Sequence, residues 1–154
     1  SLAITLRESL GADWDIMILA TDISAQKLTM GSKGGPYTRE QVAMIPPHLL
    51  SKYFSPEKHK EETLYRATPL LRQLVAFQLV NLLDQQALPQ HIRLNLIFCR
   101  NVFIYMAEEA KNQILSQFYS RLYPNGYLFL GLSESLNSSD SRWNSIGKSI
   151  YQKK

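Results

Sequence analysis

A chain of 154 residues and 17.7 kDa has the length of one domain with a sizeable core, and its 45% hydrophobic and 19% charged residues are ordinary for a globular protein. No apolar run approaches the roughly 18 residues that a bilayer-spanning helix needs, which argues against membrane insertion. The net charge of +4 is spread over scattered Lys and Arg, so it mildly favours an acidic partner and leaves no nucleic-acid footprint.

From Ser1 to Leu10, Leu2, Ile4, Leu6 and Leu10 fall near helical spacing, and Gly11 follows as a helix stop. Asp15 to Ala20 reads as a buried strand that runs out into Thr21-Asp22-Ile23-Ser24. An acid at the end of a second strand is a standard place for a carboxylate that holds ribose hydroxyls. Capping of the next helix, Ala25 to Met30, by Asp22 or Ser24 explains the position equally well. Position alone leaves both open.

Regular alternation stops from Gly31 to about Lys60, where glycines and prolines punctuate short helical pieces around Arg39 to Met44 and Pro47 to Phe54. That is too long for an ordinary connection of about 4–6 residues, and it marks the start of an inserted subdomain. Gly34-Gly35-Pro36 reads as a turn, since no Lys-Ser/Thr follows to make a phosphate loop. Thr63 to Ala67 and Arg72 to Phe77 read as strands, and Asn81 then stands among aliphatics just past a strand end.

Leu94 to Cys99 is a continuous apolar run of strand length, expected to be buried on both faces. The run breaks at Arg100-Asn101, beyond the carboxyl end of a strand, where open α/β sheets bind ligands. Asn101 tying down the turn with its own side chain is the competing reading. Cys99 is a packed thiol here, and a single cysteine suits a reducing cytoplasm. Ala107 to Leu122 is the clearest helix, with Ile114, Leu115, Phe118, Tyr119 and Leu122 on one face. Pro124-Asn125-Gly126 ends it, and Tyr127 to Gly131 is the next strand. Ser135 to Asp140 reads as polar loop, and Arg142 to Ile146 with Ser149 to Tyr151 as a terminal hairpin. His48, His59 and His91 lack metal-ligand spacing, so no metal site is expected. The order of elements predicts a mostly parallel, doubly wound α/β sheet with an insertion.

Several strings carry a resemblance: Ala20 to Ser24 (ATDIS), Leu50 to Phe54 (LSKYF), Val75 to Asp84 (VAFQLVNLLD), Cys99 to Met106 (CRNVFIYM) and Tyr123 to Leu136 (YPNGYLFLGLSESL). Together they resemble the CheR-type chemotaxis protein-glutamate O-methyltransferases, essentially from Ser1 to Tyr151. The resemblance implies a Rossmann-like methyltransferase sheet over residues 1–154 with a small β-subdomain inserted at 31–72. It implies S-adenosyl-L-methionine as cofactor, S-adenosyl-L-homocysteine as product, and glutamates on the cytoplasmic helices of methyl-accepting chemoreceptors as substrate. Residue by residue, Asp22 matches the ribose-binding acid, Asn81 and Leu82 the adenine-side contacts, and Asn101 and Val102 the segment lining the cofactor. Tyr105 matches the tyrosine near the methyl-transfer site. In some members the β-subdomain docks a receptor tail peptide.

Two departures stand out. The family's first strand and its GxSxGEEPYS loop, whose last letter Ser1 matches, lie ahead of this chain, as does a helical amino-terminal domain. Loss of that strand would leave two neighbouring strands with unpaired edges, so the chain is expected to be a fragment that binds cofactor weakly and transfers no methyl alone. The other departure is Leu132, where the family usually has His. A docking module that keeps the fold without catalysis is the alternative, and a methyltransferase acting on another substrate is the third reading.

Overall fold

In the computed structural model, which describes residues 1–137 and 140–154, the chain divides into two units, Ser1–Val80 and Asn81–Lys154. Ser138 and Ser139, inside the expected polar loop from Ser135 to Asp140, lie outside the described residues. Among the described residues no helix is long and apolar enough to cross a membrane.

The first unit opens with α1 (Leu2–Leu10), whose Ala3 and Ile4 are buried and which ends at Gly11. Strand β1 spans Ile18–Asp22, three residues later than the expected start at Asp15. Its start is set by pairing: the Ile18 N–H donates to the Leu74 carbonyl, and Ile18 registers with Val75, whereas Met17 stays exposed. Helix α2 (Ala25–Ser32) follows, then α3 (Arg39–Val42) and α4 (Pro47–Tyr53). Thr38 and Gln41 close a reciprocal capping box at the head of α3, and a proline opens α4, where no amide donor is needed.

Strand β2 (Phe54–His59) pairs antiparallel with β3 (Glu62–Ala67). Sequence reading missed β2, because Pro56 argues against a central strand and is tolerated only near an edge. Arg66 donates to both carboxylate oxygens of Glu57 and to the Lys33 carbonyl, tying this hairpin to the turn after α2. The expected strand from Arg72 to Phe77 is also corrected. Thr68-Pro69 starts a short helix, α5 (Pro69–Arg72), and β4 begins only at Val75 and runs to Leu79. Strands β1 and β4 form a parallel pair, and Tyr53, Val42, Leu71 and Leu74 pack with Ile4 and Ile16 into this unit's core.

In the second unit β5 (Leu94–Cys99) pairs in parallel with β6 (Leu122–Leu130), and helix α6 (Glu108–Arg121) connects them. The α6 side chains Ile114, Leu115 and Phe118 pack with Ile97, Cys99, Leu128 and Leu130. Strand β5 is not buried on both faces as expected. Its alternate side chains point away from that core, and Phe98 is 44% exposed while stacking on Phe129 at 4.3 Å. Leu122 to Gly126 belongs to β6 and not to a separate turn. The register jumps from Leu94↔Leu122 to Leu96↔Tyr127, so the Pro124-Asn125-Gly126 segment is absorbed as an irregularity within the strand. Strands β7 (Trp143–Gly147) and β8 (Ile150–Lys153) form the expected hairpin, with β8 antiparallel to β6. Buried Arg121 donates to the Leu88 and Pro89 carbonyls and fixes the loop before β5. Each unit therefore contributes one parallel strand pair to an α/β fold, with β1 bonded only to β4, and β5 only to β6, among the described strands.

Candidate functional site

In the first unit, β1 and β4 are parallel and end together: Asp22 registers with Leu79, and the Val80 N–H donates to the Asp22 carbonyl. Asn81 is the next residue in the chain. The Asp22 carboxylate accepts the Ser24 N–H at Oδ1 (2.8 Å), and the Ser24 hydroxyl caps α2 by accepting the Lys27 N–H. Both residues thus serve the helix entry that sequence reading left open. Among the described residues the hydrogen bond shown is to Oδ1, so the second Asp22 oxygen keeps its capacity to accept from a hydroxyl.

In the second unit, Asn81 is exposed and its Oδ1 accepts the Leu83 N–H at 3.0 Å, which folds residues 81–84 into a tight turn. This turn is clamped to α6, where Gln117 donates to the Leu82 carbonyl and Gln113 to the Leu83 carbonyl. Leu82 packs onto the core beside α6.

Because β5 and β6 are parallel and in register at Cys99↔Leu130, Asn101 and Gly131 emerge at the same end of the pair. Asn101 has φ +59°, an uncommon conformation that Asn tolerates better than most side chains. Val102 packs on the core, and Phe103–Tyr105 form a single 3-10 turn with Phe103 buried and Tyr105 87% exposed. Asn101, Val102 and Tyr105 therefore share one turn, with an anchored ring inside and a free ring outside.

Glu134 holds this turn, and sequence reading passed over it within its string. Its Oε2 accepts the N–H groups of Asn101 (2.8 Å) and Gly131 (2.6 Å), and its Oε1 accepts the N–H of Phe103 (2.7 Å). Only 5% of its surface is exposed. Burial works to raise its pKa, yet the amides of Asn101, Gly131, Phe103 and Val102 outweigh that and hold it below the ordinary value. The available signal was an acid four positions past an apolar strand, Leu130 to Glu134, too local to reveal its partners. The Cys99 thiol is pushed up to about 12 by burial and by the Glu134 charge, so it is protonated and unsuited to nucleophilic work.

Comparison with known proteins decides the lineage. The model of the family described as CheR methyltransferase, SAM binding domain, matches residues 1–151. The chain belongs to this family. Chemotaxis protein methyltransferase 1 of Pseudomonas aeruginosa is 37% identical over 123 residues, covering 80% of this chain and 43% of its own length. Chemotaxis protein methyltransferase Cher2 of Pseudomonas putida is 38% identical over 141 residues, covering 89% of this chain and 49% of its own. The chemotaxis protein methyltransferase of Escherichia coli is 33% identical over 153 residues, covering 98% and 52%. This CheR-family chain thus spans about half the length of the relatives it matches. Among solved structures, the rRNA methyltransferase AviRa of Streptomyces viridochromogenes aligns over 99% of this chain and 83% of its own, at TM-score 0.40 and 12% identity.

Two groups, one in each unit, have chemistry of the kind the family's cofactor calls for. Asp22 has a carboxylate oxygen to spare for vicinal hydroxyls, and Asn81 is an exposed amide whose Nδ2 can donate to a heteroaromatic edge.

Proposed function

We propose that this chain is the cofactor-binding part of an S-adenosylmethionine-dependent protein-glutamate O-methyltransferase that modifies the cytoplasmic helices of chemoreceptors. The observation that carries the reading is the turn Asn101 to Tyr105, held at the carboxyl end of a parallel strand pair in a chain matched by the family model over 1–151. In this reading Asp22 accepts from the ribose hydroxyls, Asn81 and Leu82 contact the adenine, and Asn101 and Val102 line the cofactor. Tyr105 stands beside the accepting carboxylate. Residues 31–72 form the β-subdomain, and the β2–β3 hairpin is where a receptor tail peptide would add. Work on receptor cytoplasmic helices would be done in the cytoplasm.

S-adenosylmethionine, when bound, supplies a methyl group activated by a sulfonium charge. A glutamate side chain with a reference pKa of about 4.3 is already ionised at neutral pH, so no residue here has to remove a proton. The work left to this chain is to bind, aim and exclude water, and orientation is worth at most roughly 7–11 kcal/mol. Exposed Tyr105, on the turn that Glu134 holds, suits the aiming. The net charge of +4 favours approach of an acidic target helix.

The test is transfer of labelled methyl to receptor cytoplasmic fragments by this chain and by the longer protein that relatives of this family represent. Base-labile label on receptor glutamates, lost with D22A, is the expected result. Cofactor binding without any transfer by the longer protein would favour the docking module instead, and absence of both would end the methyltransferase reading.

A further inference from the structure

A buried carboxylate is costly unless its oxygens are satisfied, and Glu134 is satisfied by backbone amides from two separate strand ends. Asn101 and Phe103 come from the segment after β5, and Gly131 from the end of β6. The two oxygens divide the work: Oε2 takes Asn101 and Gly131, and Oε1 takes Phe103. Glu134 is itself fixed in turn. Its N–H donates to the Gly131 carbonyl, and its carbonyl accepts from the Ser149 hydroxyl. An Asn at φ +59° needs surroundings that over-determine it, and two charge-assisted bonds flanking Val102 do that.

We propose that Glu134 is a positioning residue: its carboxylate is the template on which the Asn101–Phe103 turn closes, and through that turn it aims Asn101, Val102 and Tyr105. The role rests on the reading of this turn as cofactor-lining. Glutamine has the same shape but offers one acceptor oxygen and one N–H₂ group. In E134Q an amide donor must therefore face the backbone donor of either Phe103 or of Asn101 and Gly131. Aspartate keeps the charge and shortens the reach.

The experiment is amide exchange and chemical-shift mapping of the labelled chain, as wild type, E134Q and E134D, each titrated with S-adenosylhomocysteine. E134Q is expected to speed exchange at Asn101 and Phe103 at least tenfold while the α6 and β7–β8 amides stay protected. Cofactor affinity should fall at least tenfold in E134Q and less in E134D. In the wild type, the Asn101, Phe103 and Gly131 amide shifts should move together as acid protonates Glu134, and the cofactor should be released over the same pH range. Unchanged affinity in E134Q, beside a wild type that binds, overturns the role of Glu134 alone. A wild type that shows no cofactor shifts overturns the cofactor reading and the proposed role with it. If E134Q does not fold, the wild-type acid titration decides: release at a pH unrelated to the amide midpoint overturns the proposal.

Discussion

A Cβ placed on Gly131 would stand 2.6 Å from the Asn101 side-chain oxygen and 3.0 Å from the Asn101 backbone nitrogen. The same atom would lie 2.6 Å from Glu134 Oε2, so the two strand ends meet where no side chain fits. Glu134 Oε2 cannot simply swing away, because it accepts the backbone N–H groups of Asn101 and Gly131. G131A is therefore expected to cost about 1–3 kcal/mol through overpacking. Melting should fall by roughly 2–12 °C for a chain of this size. Thermal unfolding followed by circular dichroism checks this, and an unchanged midpoint would show that the contact relaxes freely.

Two substitutions separate the structural role of Asp22 from the ligand role proposed for it. D22N keeps an oxygen to accept the Ser24 N–H, so α2 should start as before and melting should shift by no more than a few degrees. Loss of the charge toward hydroxyl donors should still weaken cofactor binding about tenfold or more. D22A removes both and should lower stability as well. Calorimetric titration of the two variants beside the wild type reads the difference; equal affinities for D22N and wild type would remove Asp22 from the cofactor site.

Tyr105 carries the opposite signature, since 87% exposure leaves little packing to lose. Y105A should leave melting within about 1 °C, as surface substitutions usually do. Methyl transfer by the longer protein should fall at least tenfold with cofactor affinity changed little, which would assign Tyr105 to aiming the acceptor. Full retained activity would be the contrary outcome.

Cys99 sets an alkaline limit. Its folded pKa of about 12 lies above the ordinary thiol value of about 8.5, so between them the folded state keeps a proton that the unfolded state releases. Stability from this group is therefore whole below about pH 8.5 and declines as pH rises through that window. Denaturant titrations at pH 7, 9 and 10 should show the decline, and C99A should flatten it. A thiol reagent at pH 8 should label Cys99 only on unfolding; rapid labelling of the native chain would contradict its burial.

Helices α1 and α6, strand β5 and the β7–β8 hairpin were legible to within a residue or two, because apolar spacing is a local signal. Asp22 and Asn101 were legible as polar residues breaking out at strand ends, whereas Tyr105 entered only through the family strings. Boundaries that depend on a partner were not. The Ile18 start of β1 and the Val75 start of β4 follow from their mutual register, and Pro56 disguised β2 because proline's meaning depends on which edge of a ladder it occupies. What the chain determines unaided is the family, the strongly periodic elements and the residue types that reach the strand ends. Only the tertiary structure joins Glu134 to Asn101 across 33 residues, because a buried carboxylate finds its amides through folded geometry and not through spacing along the chain.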